Sequence, residues 1–189
     1  MRHIEFLKPL EFGDDVEDAF YLDSGLTYDG SATTTVSSLN HLEGETVSIL
    51  ANGSTHADKV VTDGKVTLDR SASKVHIGYG YTSTIETLRL EAGADDGVAQ
   101  GKIKRIHGVT ARFFNTVGAE LGPDTNNLDR LPFRDSSMSM NQAVPLFTGD
   151  KEIYFPSGYE NDARVIIRQS QPLPMTVLAI MRRSNTFDA

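Results

Sequence analysis

Val61-Thr62-Asp63-Gly64-Lys65-Val66 sets an Asp-Gly pair between two stretches in which apolar and polar residues alternate. A two-residue type I′ turn needs positive φ at both central positions. Asp tolerates that conformation and Gly adopts it freely, so the stretch reads as a tight β-hairpin with Gly64 left-handed. Asn52-Gly53 repeats the signal upstream; the triplet Asn52-Gly53-Ser54 also matches a glycosylation acceptor and is read here as a turn. On either side of the two turns, Val47, Ile49, Val60, Val66, Leu68, Val75 and Ile77 fall at alternate positions. Residues two apart on a strand share a face, so these seven are expected to face one core, in a small sandwich or barrel module.

The rest of the chain carries the same short-period signal. Runs rich in Val, Ile, Thr, Tyr and Phe are punctuated by Gly and Pro and predict strands at 46–51, 59–62, 65–68, 74–79, 85–90, 103–115, 152–155, 164–169 and 175–181. No window offers three turns of amphipathic helix, and an all-β protein with helix below about a tenth of its residues is expected. The polar stretch 91–97 is the internal boundary. It gives an N-terminal segment 1–30 leading into the fold, a small β module at 31–91, and a second antiparallel, sandwich-like β domain at 92–189. The segment 1–30 either precedes the fold or completes the second domain, with 31–91 as an insertion. The span 118–143, rich in Gly, Pro, Asn and Ser, reads as a long loop arm that orders against a partner. Pro172 and Pro174 cannot sit inside a sheet, so the last strand should start just after them. Met175, Val177, Ala179 and Met181 alternate with Leu178 and Ile180, which predicts a strand buried on both faces beside Val165 and Ile167, followed by a loose or partner-bound tail from Ser184.

Composition narrows the chemistry. With 26 acids against 18 bases the 189-residue chain carries a formal charge of −8, which repels free nucleic acid and anionic membranes. There is no cysteine, hence no disulfide, thiolate metal site or thiol nucleophile. The longest apolar run, near 175–181, is far short of the ~20 residues of a membrane span. The N-terminal stretch has no apolar core of the kind a secretory signal needs.

Candidate sites are few. His41, Glu43 and Glu45 would share a face in an extended segment, as metal ligands could, but a glycine-broken loop before a strand commonly carries such charges, and the five histidines lack the spacing of zinc sites. Asp23-Ser24-Gly25 lacks the surroundings of a serine nucleophile and reads as a turn. No phosphate-binding glycine loop occurs, and no two carboxylates stand out as a glycosidase pair. Lys102, Lys104, Arg105, His107 and Arg112 lie along one predicted strand with Ile103, Ile106, Val109 and Phe113 interleaved. They could contact phosphate; in an acidic chain the preferred reading is a solvated or intersubunit strand face whose cations meet the acids between Glu11 and Asp18, on this or a neighbouring copy. Tyr28, Tyr79 and Tyr81 with Phe20 and Tyr21 could form a sugar platform, but tyrosines on strands more often pack half-buried. No catalytic, cofactor-binding or metal-binding residue is therefore assigned.

Several stretches also resemble a known family. Asp18-Ala19-Phe20-Tyr21-Leu22-Asp23-Ser24-Gly25-Leu26-Thr27-Tyr28-Asp29-Gly30, Leu39-Asn40-His41-Leu42-Glu43-Gly44-Glu45-Thr46-Val47 and Leu50-Ala51-Asn52-Gly53 are similar to the C-terminal part of the tail nozzle, or tail tubular, proteins of short-tailed bacteriophages. The later blocks follow in the same order: Val75-His76-Ile77-Gly78, Tyr81-Thr82-Ser83, Gln100-Gly101-Lys102, Lys104-Arg105-Ile106, Leu146-Phe147-Thr148-Gly149-Asp150 and the run from Gln171 to Ile180. Members are typically longer, so the chain reads as the C-terminal part of one. The module at 33–91 resembles, more weakly, the β-rich domain inserted in ubiquitin-activating enzymes, without their adenylation domain or cysteine. The resemblance implies a non-enzymatic virion protein with no cofactor, made in the host cytoplasm. It would form a homo-oligomeric ring, usually sixfold, beside adaptor and fibre proteins, and DNA would pass through without specific binding. A receptor- or glycan-binding β module of a tail is the alternative.

Overall fold

The computed structural model describes residues 6, 7, 9, 11–91, 101–140, 142–155 and 157–187. The protein is all-β: 56% of these residues lie in strands of three antiparallel sheets and 4% are helical, including the 3₁₀ turns Val16–Asp18 and Asn40–Leu42. No helix among the described residues is long and apolar enough to cross a membrane. The chain divides into two compact units. The first takes Met1–Thr82, Phe133–Leu146 and Ser170–Pro174; the second takes Ser83–Pro132, Phe147–Gln169 and Met175–Ala189. This differs from the expected division at 30 and 91. The N-terminal segment belongs with the first module, because half of its first strand lies there, and the change of unit falls at Ser83, whose strand finds its partner far along the chain.

Unit one is a single curled sheet of β1 (Asp23–Val36), β2 (Thr46–Ala51), β3 (Ser54–Val60) and β4 (Val66–Tyr79), ordered β1-β4-β2-β3. Both Asx-Gly turns form as expected. Asn52 and Gly53 have φ of 48° and 70°, Asp63 and Gly64 have 54° and 65°, and Thr62 and Lys65 exchange both backbone bonds at 3.0 Å. β4 is one strand where two were expected: exposed Asp69, Arg70 and Ser71 lie in its middle, where the ladder with β1 shifts register between the pairs Thr33–Ala72 and Thr35–Thr67. The core gathers Val47, Ile49, Val66, Leu68, Val75 and Ile77 around Leu39 and Leu42. Val60 is the exception: the register sets it opposite exposed Thr46, so it points outward and Val61 takes the inward place. β3 also leans back on the first half of β4, where the Asp69 amide donates to His56 Nε2 at 2.9 Å and Lys59 Nζ reaches Asp69 at 2.6 Å.

Unit two has two sheets. β5 (Ser83–Glu86), β7 (Glu120–Asp124), β8 (Asn127–Arg130) and β10 (Ile166–Gln169) are ordered β5-β10-β7-β8; β6 (Ile103–Thr116), β9 (Phe147–Tyr154) and β11 (Thr176–Phe187) are ordered β11-β6-β9. Ile106, Val109, Ala111 and Phe113 of β6 are buried, as are Leu121, Phe155, Val165 and Ile167. The span expected to be a loop arm instead contains the β7–β8 hairpin. Asp124 closes it by accepting from the amides of Asn126 (2.8 Å) and Asn127 (3.1 Å), and Leu131 behind it is buried. Its apolar signal is weak because Gly122 and Pro123 interrupt it, yet Gly122 is required: a Cβ there would overlap the carbonyl oxygen of Asn127.

β11 begins just after the prolines, as expected, but its surroundings do not match the prediction. It is an edge strand paired with β6, not with Val165 and Ile167, which precede and occupy the other sheet's β10. Leu178, inserted as a bulge opposite Phe113 and Arg112, is 59% exposed, and the strand runs through Ser184 to Phe187 instead of fraying.

Candidate functional site

The basic strand, β6, divides its cations between two faces. Alternation turns Lys104 inward, where it is fully buried and donates from Nζ to the backbone oxygen of Asn161 at 2.8 Å. Arg105 turns outward, its guanidinium 5.5 Å from the centre of the Tyr159 ring, a cation–π contact. Arg112, also outward, grips Asp150 with two parallel bonds of 2.7 and 2.8 Å, which raises the guanidinium pKa and lowers that of Asp150. Asp18, one of the expected partners, pairs with Lys74 of β4. Among the described residues these cations form no continuous phosphate-binding stripe, since they point opposite ways or are already engaged.

The His41 group has structural work. His41 Nε2 lies 2.9 Å from the Ser24 carbonyl oxygen, and the Glu43 carboxylate accepts the amides of Asp63 (2.9 Å) and Gly64 (2.6 Å), clasping the turn. Among the described residues no three His, Cys, Asp or Glu side chains are placed to hold a metal. Ser24, at φ 47°, belongs to an irregular start of β1. Of the aromatic residues, Tyr28 and Tyr79 pack on the core of unit one, Tyr21 meets the edge of Phe12 and lies near half-exposed Tyr81, and Phe20 meets the edge of His76. His76 is buried between the Thr27 hydroxyl (2.9 Å) and the Glu17 carbonyl (2.8 Å).

Two surfaces of unit two stand out instead. A polar cleft of about 570 Å³ lies between the β7–β8 turn and the segment 157–160, lined among others by Asp124, Asn126, Asp129, Ser157 and Glu160. Burial, with Asp162 and Asp124 nearby, raises the Glu160 pKa, and one carboxylate oxygen of Glu160 is buried without a hydrogen-bond partner.

The second surface is the outward face of β11-β6-β9. Directly opposed residues share a face, so Gly108 aligns with Arg183 and Tyr154, Thr110 with Met181 and Glu152, Arg112 with Ala179 and Asp150, and Ile103 with Phe187. On it Tyr154 is 74% exposed, Phe187 43% and Met181 40%, and Tyr159, 61% exposed, meets Phe187 edge-on at 5.3 Å. Exposed Tyr, Phe, Met and Arg together form the composition enriched at protein interfaces. Sequence reading offers an intersubunit face on β6 but not the share of Tyr159 and β11, because Tyr159 follows another strand and β11 reads as covered on both sides. The interleaved Ile103 and Arg105 were the available signal.

No family model matches the chain, and no curated protein matches it.

Proposed function

We propose that the chain is a structural component of a phage tail that works by assembling with copies of itself, as a nozzle-type ring around the DNA ejection channel, without catalysis. The observation that carries this reading is the outward face of β11-β6-β9, where exposed Tyr154, Met181 and Phe187 share a face with arginines, a composition enriched at association sites. The block-by-block resemblance to nozzle proteins supports the class. The net charge of −8 suits a lumen that DNA must slide past, and two of the outward arginines, Arg112 and Arg183, are held by carboxylates rather than offered to phosphate. In this reading the protein is made in the host cytoplasm, sits in the virion beside adaptor and fibre proteins, and needs no cofactor. Light scattering behind size-exclusion chromatography, with electron microscopy of the peak, tests it: closed oligomers are expected. A chain that stays monomeric at every concentration, and is missing from purified virions, would refute it.

The cleft beside Glu160 favours a second reading, a receptor- or glycan-binding module, because amides and carboxylates lining a concave loop surface suit sugar hydroxyls. A glycan array separates the two, since tight sugar binding by a monomer would reverse their order.

A further inference from the structure

The cleft between the β7–β8 turn and the segment 157–160 has two stiffened walls. On one side Asp124 accepts three bonds at once, from the amides of Asn126 (2.8 Å) and Asn127 (3.1 Å) and from Asn127 Nδ2 (2.7 Å). On the other, Ser157 Oγ donates to the Ile106 carbonyl at 2.7 Å, and Glu160 exchanges both backbone bonds with Lys104, at 2.7 and 2.8 Å. The volume of about 570 Å³ lies within the range of small-molecule sites, roughly 300–1,000 Å³. Walls held in place before a ligand arrives reduce the entropy lost on binding.

The lining selects among ligands. The side chains of Asn126 and Asp129 are exposed and bond to no described residue, so amide donors and carboxylate acceptors stand open to the cleft. Partly buried Pro123 and Leu128 add apolar surface beside them. A sugar ring, with hydroxyls at its rim and C–H groups on its faces, matches that combination. Among the described residues no Lys, Arg or His lines the cleft, whereas Asp124, Asp129 and Glu160 do. Burial, then Asp162 and Asp124, raise the Glu160 pKa, the mark of a negative field. A ligand with its own carboxylate, sulfate or phosphate would add like charge to that field. No three His, Cys, Asp or Glu side chains among the described residues are placed to hold a metal ion that could bridge the two.

We propose that this cleft binds a saccharide free of carboxylate, sulfate and phosphate groups, with Asn126 and Asp129 hydrogen-bonding its hydroxyls and Pro123 and Leu128 against a C–H face. The inference rests on the glycan-binding reading and names its ligand class; it does not depend on self-assembly. An open polar cleft leaves little net free energy after ordering costs, so a dissociation constant of about 1 mM is expected for a single site. A ring of copies would repeat the site, and weak single contacts would then add as avidity.

Saturation-transfer difference NMR on the full chain tests it, with lactose, maltose and diacetylchitobiose as uncharged probes and sialyllactose and glucuronic acid as anionic ones. Saturation is expected for at least one uncharged probe and for neither anionic one. Asn126→Ala combined with Asp129→Ala alters exposed side chains without a described partner, so circular dichroism should show the parent fold while binding weakens about fivefold or more. Gly158→Phe, where an added Cβ meets no atom within 4 Å, is the second variant and should crowd the cleft to similar effect. Tyr154→Ala, on the other sheet, should leave binding unchanged. Saturation of the anionic probes, or uncharged binding that survives either folded variant at full strength, would overturn the inference and leave the glycan-binding reading standing. No binding of any probe, nor of any glycan on an array, would overturn both.

Discussion

Arg183 and Glu152 are joined across the whole width of their sheet, bridging over the central strand at Gly108. The bridge is possible because position 108 has no side chain: a Cβ there would sit 3.1 Å from Arg183 Nε and push the guanidinium aside. Both partners are more than half exposed, at 55% and 64%, so solvent screens most of the attraction. A double-mutant cycle with Arg183→Ala and Glu152→Ala, read by urea denaturation, should give a coupling below about 1 kcal/mol. A larger value would mean that the pair is desolvated.

Glu43 and the Asp63-Gly64 turn form the second testable pairing. Two turn amides donate to one carboxylate, so Glu43→Ala leaves both without their partner and should destabilise the protein by about 1–2 kcal/mol. Gly64→Val should cost a similar amount through its positive φ. Its Cβ would also overlap Asn40 Oδ1, so Asn40→Ala should recover only part of the loss. Unchanged melting in Gly64→Val would show the turn to be misassigned.

Lys104 separates packing from charge. Its stem fills part of the interior of unit two and its ammonium is tied to a single described acceptor, the Asn161 carbonyl. Lys104→Ala should cost about 2–4 kcal/mol, as cavity-forming truncations do. Lys104→Met keeps most of the stem and removes a buried charge, so its loss should stay below about 1.5 kcal/mol. Equal losses from the two variants would mean that the ammonium, not the stem, holds the segment around Asn161.

Glu160 predicts a dependence on pH. Burial, then Asp162 and Asp124, lift its pKa in the folded protein above that of the unfolded chain. Both states are protonated in strong acid, where the group has no effect. As pH climbs from the ordinary carboxylate range through the raised value, the unfolded state ionises more readily and the folded state loses ground. Glu160→Gln should therefore match the parent near pH 3 and melt higher at pH 7 to 8. A variant less stable at neutral pH would mean that the carboxylate has a partner there.

What the sequence disclosed follows a physical rule. The two Asx-Gly turns, β2 and β10's apolar Ile166 and Ile167 were legible, because turn chemistry and alternation are local. β1 was not: Asp23-Ser24-Gly25 and Thr33-Thr34-Thr35 resemble loop composition, and they become strand only because β4, distant in sequence, supplies a ladder. The β7–β8 hairpin hid behind Gly122-Pro123 for a related reason. For the candidate surface, reading the cations of β6 as one solvated or intersubunit face overlooks the alternation that buries Lys104 and turns Arg105 outward, and Tyr159 and Phe187 meet Arg105 and Ile103 only through tertiary pairing. The pattern of β11 misled because an apolar residue on a bulge, Leu178, has no face to be buried on.

The strand order β1-β4-β2-β3 also sets the pace at which unit one can form. β2 and β3 close through a two-residue loop, whereas Asp23 must find Tyr79 and Val36 must find Val66. Joining ends so far apart loses chain entropy before any contact repays it. β2, β3 and β4 should therefore be assembled at the folding barrier, with β1 added afterwards. In stopped-flow measurements Ile49→Val should mainly slow refolding, and Leu26→Ala in β1 should mainly speed unfolding. A strand that docks last is also the first to leave, so the opening that precedes global unfolding should begin at β1.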